Sequence, residues 1–151
     1  CYVYDVPRGR ELGRKGFVVA PGDWRRAAHK CSGLAYTAVT GAPGIFDTRI
    51  AYVAESGVGA AKSKKIALID SDGTDQASLT SADSFAITPR LSPGAETIAF
   101  TSFAGGTPHI QLLDVASGRQ RPLLVNRAMS FAPNFSHDGN RIAFAMLQGI
   151  N

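Results

Sequence analysis

A shift of 44 residues lays much of this chain onto itself. Lys65-Ile66-Ala67-Leu68-Ile69-Asp70 falls on His109-Ile110-Gln111-Leu112-Leu113-Asp114, Leu79 on Leu123, Pro89 on Pro133 and Ser92 on Ser136. Ile98-Ala99-Phe100 falls on Ile142-Ala143-Phe144. An apolar run, an Asp at its end and a Ser-initiated turn keep register. A period of roughly 40 to 50 residues, built from about four short strands, is the signature of a propeller blade. One blade cannot bury both of its faces, so blades must stack around a common axis. The chain holds not quite two and a half blades. A ring cannot close with that number, so the chain reads as a fragment, and a poorly stable one in isolation.

The strand-type runs are Ile50–Val53, Ile66–Ile69, Thr97–Phe100, Ile110–Leu113 and Ile142–Ala145, and Asp72-Gly73, Pro93-Gly94, Gly105-Gly106, Ser117-Gly118 and Asp138-Gly139 separate them. Before Ile45 the pattern differs. Cys1–Val6 reads as a strand, Pro7–Arg10 as a turn and Phe17–Val19 as a second strand. Asp23 is placed to cap a helix whose buried face would carry Trp24, Ala27, Ala28, Cys31, Leu34, Ala35 and Ala38. Gly41 suits its left-handed end and Pro43 prevents resumption. The fold class expected is therefore an α/β N-terminal piece, residues 1–44, followed by all-β propeller blades, residues 45–151.

Composition supports an ordinary folded domain: 151 residues, 44% hydrophobic and 19% charged. The net charge is +4, but Lys and Arg are scattered and no nucleic-acid-binding motif accompanies them. No apolar run reaches the 18 residues that a membrane-spanning helix needs. Cys1 and Cys31 do not make a disulfide framework. They read as an edge thiol and a buried helix thiol, with a bridge left open for an oxidising compartment.

No motif calls for catalysis, a cofactor or a metal. Ser136-His137-Asp138 has triad residue types, but neighbours in an extended segment point to opposite faces, and turn chemistry is the reading. His29, His109 and His137 are far apart in sequence and outside any metal-ligand spacing. Gly57–Lys62 lacks the ending of a phosphate loop and reads as a hairpin tip. Asp70, Asp72 and Asp75 lack a later carboxylate and read as a tight turn. Arg25, Arg26 and Lys30 read as a solvated helix face. Arg49 reads as an ion-pair residue at the domain junction.

Pro21–Lys30, Thr40-Gly41 and Gly44–Val53, with Leu123-Leu124 and Met129–Ser136 downstream, resemble the TolB family. That resemblance implies a periplasmic protein with an N-terminal α/β domain and a six-bladed C-terminal propeller. It implies a non-catalytic scaffold of the Tol–Pal system that binds the peptidoglycan-associated lipoprotein Pal and supports outer-membrane integrity and constriction at cell division. Other Tol proteins, outer-membrane proteins and imported bacteriocins are further implied contacts. The family's Ser-Pro-Asp-Gly turn appears here as Ser92-Pro93-Gly94-Ala95 and Ser136-His137-Asp138-Gly139.

Loops on a rigid scaffold carry recognition, and Met, Arg and aromatic residues are favoured at interfaces. Arg90, Phe103, His109, Arg127, Met129 and Asn134 are therefore the partner-binding candidates. The competing reading is the propeller of a prolyl-oligopeptidase-like serine peptidase, which needs a nucleophile elbow in a further domain. A cytosolic WD-type adaptor would need Trp-Asp strand ends, and the single Trp24 is on the helix.

Overall fold

The computed structural model describes residues 1–124 and 129–147. The chain divides into two compact units, one of residues 1–48 with 70–72, the other of residues 49–69 with 73–151.

In the first unit, β1 (Tyr2–Asp5) pairs antiparallel with β2 (Arg10–Arg14). The second strand thus lies at Arg10–Arg14, not at Phe17–Val19, which is irregular, with Val18 fully exposed. The cause is the turn. The Asp5 carboxylate accepts the Arg8 N–H at 3.3 Å and Gly9 adopts φ +60°, so the chain reverses at once and pairs through a polar segment that no apolar run announces. Helix α1 spans Trp24–Thr40 and ends as expected, with Gly41 at φ 75° donating to the Thr37 carbonyl. Asp23 sits at the N-cap, but at φ −100°, ψ 13° its side chain caps nothing. Ala27, Cys31, Leu34, Ala35 and Ala38 are half-buried, whereas Trp24 and Ala28 are exposed. The Trp24 ring instead lies beside the Arg25 guanidinium, 5.6 Å from the ring centre. Glycine makes room for the helix. A methyl at Gly13 would touch Leu34 at 3.4 Å, and one at Gly44 would lie 2.4 Å from Gly33 Cα. Cys1 and Cys31 form a disulfide, with Cα atoms 5.7 Å apart. The free-thiol reading is thereby corrected, because the strand edge and the helix face that carry them are packed together.

The second unit is a set of small sheets. β3 (Arg49–Ser56), β4 (Ser63–Asp70) and β5 (Ala77–Ser78) form the first, in that order. β6 (Ala86–Leu91), β7 (Thr97–Ser102), β8 (His109–Asp114) and β9 (Gln120–Pro122) form a four-stranded antiparallel meander. β10 (Met129–Phe135) and β11 (Ile142–Leu147) form the third. These antiparallel sheets, preceded by one helix, are those of a partial propeller-like domain. All five apolar runs lie in strands. Strands β5, β6, β9 and β10 are short or interrupted by proline and polar residues and carry no such run.

The 44-residue period holds in the backbone. Ile87↔Thr101 and Arg90↔Ala99 become Phe131↔Ala145 and Asn134↔Ala143, with the same bulge between them. Within that bulge Thr88 and Ala132 both take positive φ, 52° and 55°. Ser92 and Ser136 organise the same turn. Each donates its N–H to the carbonyl five residues on, and each hydroxyl accepts the N–H of that same residue. The main core, formed by Ile66, Leu68, Ala86, Ile98, Phe100 and Leu113, joins the first sheet to the second. Burial of this kind contributes about 25 cal/mol per Å² of apolar surface. The second and third sheets are bonded where Thr101 Oγ1 accepts the Ala132 N–H at 3.2 Å and Ser130 Oγ accepts the Ile110 N–H at 3.1 Å; within the second sheet Thr101 Oγ1 lies 2.9 Å from Thr88 Oγ1.

Candidate functional site

Among the six candidate residues, Phe103, His109 and Met129 come together at one end of the second unit. Ser102 and His109 are cross-strand partners at the β7–β8 turn. Ser130 donates its N–H to the Pro108 carbonyl at 3.1 Å, which sets Met129 beside that turn. Phe103 packs edge-on against Phe85, ring centres 5.6 Å apart, and Met129 is exposed. His109 Nδ1 lies 3.0 Å from the Thr107 carbonyl, which fixes the ring.

Arg90 and Asn134 are elsewhere. They occupy equivalent, exposed positions beyond the bulges of β6 and β10, paired with Ala99 and Ala143 toward the opposite strand ends. Arg127 lies outside the described residues.

Four residues at the first end were missed by sequence reasoning. Phe85 is one repeat before Met129, so the period could have found it. Lys64 lies over the Phe85 ring, 5.6 Å from its centre. Glu55 pairs with Lys62 at 2.5 Å and with Lys64 at 2.7 Å. Hydrogen bonds from Lys62 and then Lys64 lower the Glu55 carboxyl to a pKa of about 2. Gly57–Lys62 is thus a strand connection held by an ion-pair fork. This end combines aromatic, thioether and paired cationic groups, a surface suited to binding and not to bond chemistry.

Several other titratable residues are tied to structure. Ser136 donates directly to Asp138, with no histidine between them, and that bond is the main cause of a lowered Asp138 pKa. Asp114 is lowered likewise, chiefly by the Ser117 hydroxyl. In the first unit the cationic helix face is paired, correcting the solvated reading. Arg25 bonds Asp72, Arg26 lies 3.4 Å from Asp47, and Lys30 lies 4.0 Å from it. Asp47 is therefore held by the helix. Arg49, read from sequence as an ion-pair residue, donates to the Ala95 carbonyl at 2.9 Å. His29, Asp70 and Asp72 bring ligand-type atoms within 4.8 Å of one another. The Arg25 guanidinium on Asp72 already neutralises that carboxylate, so the group is an ion-pair cluster.

The profile described as "TolB beta propeller domain" matches residues 36–151. This chain belongs to the TolB family. It is 44% identical over 120 residues to "Tol-Pal system protein TolB 1" of Novosphingobium aromaticivorans, covering 80% of this chain and 27% of the relative. It is 37% identical over 147 residues to "Tol-Pal system protein TolB" of Gluconobacter oxydans, covering 97% of this chain and 32% of the relative. The crystal structure of TolB from Acinetobacter baumannii superposes with a TM-score of 0.78 at 31% identity, covering 96% of this chain and 36% of that one. The chain thus spans about a quarter to a third of the length of these relatives. TolB proteins are periplasmic, non-catalytic scaffolds, and a disulfide suits that compartment.

Proposed function

We propose that this chain is part of a non-catalytic scaffold of the Tol–Pal system that docks the lipoprotein Pal through its propeller, in support of outer-membrane integrity and constriction at division. The observation that carries this reading is the family match over residues 36–151. In it, residues 1–44 end an N-terminal α/β domain and residues 45–151 supply the first blades of a six-bladed ring. The repeated strand ladder supports the ring, because the second and third sheets carry the same bulge at the same place in the repeat. Phe103, His109 and Met129 are the favoured contacts, with Arg90, Asn134 and Arg127 as further candidates.

Calorimetric titration with the soluble domain of the cognate Pal tests the assignment. The expected result is saturable binding at micromolar Kd or tighter, roughly −8 kcal/mol or better. Phe103→Ala and Met129→Ala are each expected to weaken it at least tenfold. No heat at several temperatures would remove Pal as the partner. Unchanged affinity in alanine variants of all six residues would move the docking surface elsewhere.

A further inference from the structure

Four residues carry all the sulfur of this chain. Cys1 and Cys31 are joined in the disulfide, so the sulfur left for mild two-electron oxidants is that of Met129 and Met146. Both thioethers lie at the docking end. They stand on consecutive rungs of the β10–β11 ladder, where Met129 pairs with Leu147 and Met146 with Ser130. Ser130 fixes that end against the second sheet, its N–H on the Pro108 carbonyl and its Oγ on the Ile110 N–H. The pleat sends the two thioethers to opposite faces, and both are open, at 42% and 44% exposure. Leu147 and Phe131 share the face of Met129, Phe144 shares that of Met146, and all three are exposed. The surface is apolar only while its sulfur is reduced.

We propose that Met129 and Met146 form an oxidation site at which hydrogen peroxide weakens docking. A sulfur lone pair attacks one peroxide oxygen and the O–O bond breaks. Sulfur keeps a hydroxyl and hydroxide departs. The hydroxyl proton passes to that hydroxide, which leaves a sulfoxide and water. Sulfur is oxidised by two electrons and the peroxide is reduced by two. The compartment favours the step, because the periplasm keeps disulfides and its redox state is not set by a thiol buffer. The product alters the surface, since a flexible apolar side chain becomes polar and chiral. Pressed against an apolar partner surface, the S=O dipole lacks a donor and opposes association. The inference rests on the docking reading above.

Calorimetric titration of the natural full-length protein with the soluble domain of Pal, before and after hydrogen peroxide, tests it. Trypsin cuts after Arg127 and Arg141, so the two methionines fall in separate peptides and mass spectrometry reads the oxygen gained at each. The expected result is one oxygen at each site and an affinity loss of about tenfold or more, the order of effect of an unpaired dipole in an apolar contact. Met129→Leu with Met146→Leu is expected to keep its own unoxidised affinity through the same treatment. Unchanged affinity in the wild type with both sites converted would overturn the inference, whether or not the double variant folds. Two sites left unmodified by peroxide, or an equal loss in the double variant, would overturn it as well. No binding before oxidation would remove the docking reading and this inference with it, an outcome that the unoxidised arm identifies by itself.

Discussion

Ala95 and Gly139 occupy the same place in successive Ser-initiated turns, and both hold left-handed backbone, at φ 58° and 74°. Each donates its N–H to the carbonyl of the serine that opens the turn, Ser92 or Ser136. An L side chain in this conformation costs roughly 1–2 kcal/mol, part of which glycine gives back through its looser unfolded chain. Ala95→Gly should therefore stabilise by up to about 1 kcal/mol, and Gly139→Ala should destabilise by about the same. The added methyl at 139 also meets Pro93 at 3.4 Å. Urea titration of both variants reads the pair of opposite signs, and equal signs would contradict the shared turn.

Thr101 is a polar hinge pin between two sheets, buried to 1% exposure. Thr101→Val keeps its shape but leaves the Ala132 N–H without its acceptor. The Ala132 bond is only partly buried, so losing its acceptor costs about 1 kcal/mol, the lower end of the penalty for an unpaired donor. Chemical denaturation should show a loss of that size, and a loss much smaller than this would mean that the hydroxyl contributes little.

The Cys1–Cys31 disulfide closes a loop across the first unit. Removing such a bridge costs about 2–4 kcal/mol. Reduction, or Cys31→Ser, should lower the midpoint of the first unit's unfolding transition. Mass spectrometry with and without alkylation should find both sulfurs blocked before reduction.

Glu55 is held as a carboxylate by two lysines, its pKa lowered to about 2. A depressed acid contributes stability that is present above its ordinary value near 4.5 and is lost as pH falls through the folded value. The loss should therefore fall between about pH 4.5 and pH 2. Lys62→Ala should raise the Glu55 pKa, and Lys62→Ala with Lys64→Ala should raise it further, as followed by carboxyl NMR titration. Salt should weaken the effect, since the group is exposed.

The repeat was legible because its markers are chemically demanding. Ser92 and Ser136 bond their turns, Ile98 and Phe100 fill the core, and Pro89 sits where the ladder is interrupted. The polar strands β2, β5 and β9 left no apolar trace, because each lies at the edge of its sheet. The ion pairs of Asp47 and Asp72 with α1 were illegible for another reason. They join residues distant in sequence, and nothing local in either carboxylate selects its partner. The docking end was half legible. Met129 stood out by type, whereas Phe85 needed the period, and the Glu55 fork needed coordinates.

Strands β6 to β9 follow one another without interruption, each beside the last. A sheet assembled only from sequence neighbours has little loop to close, and short-range contacts form fast. During synthesis this sheet can be complete once Pro122 clears the ribosome. The sheet made just before it ends on β3 as an edge strand. In the nascent protein that open edge is where a chaperone would bind.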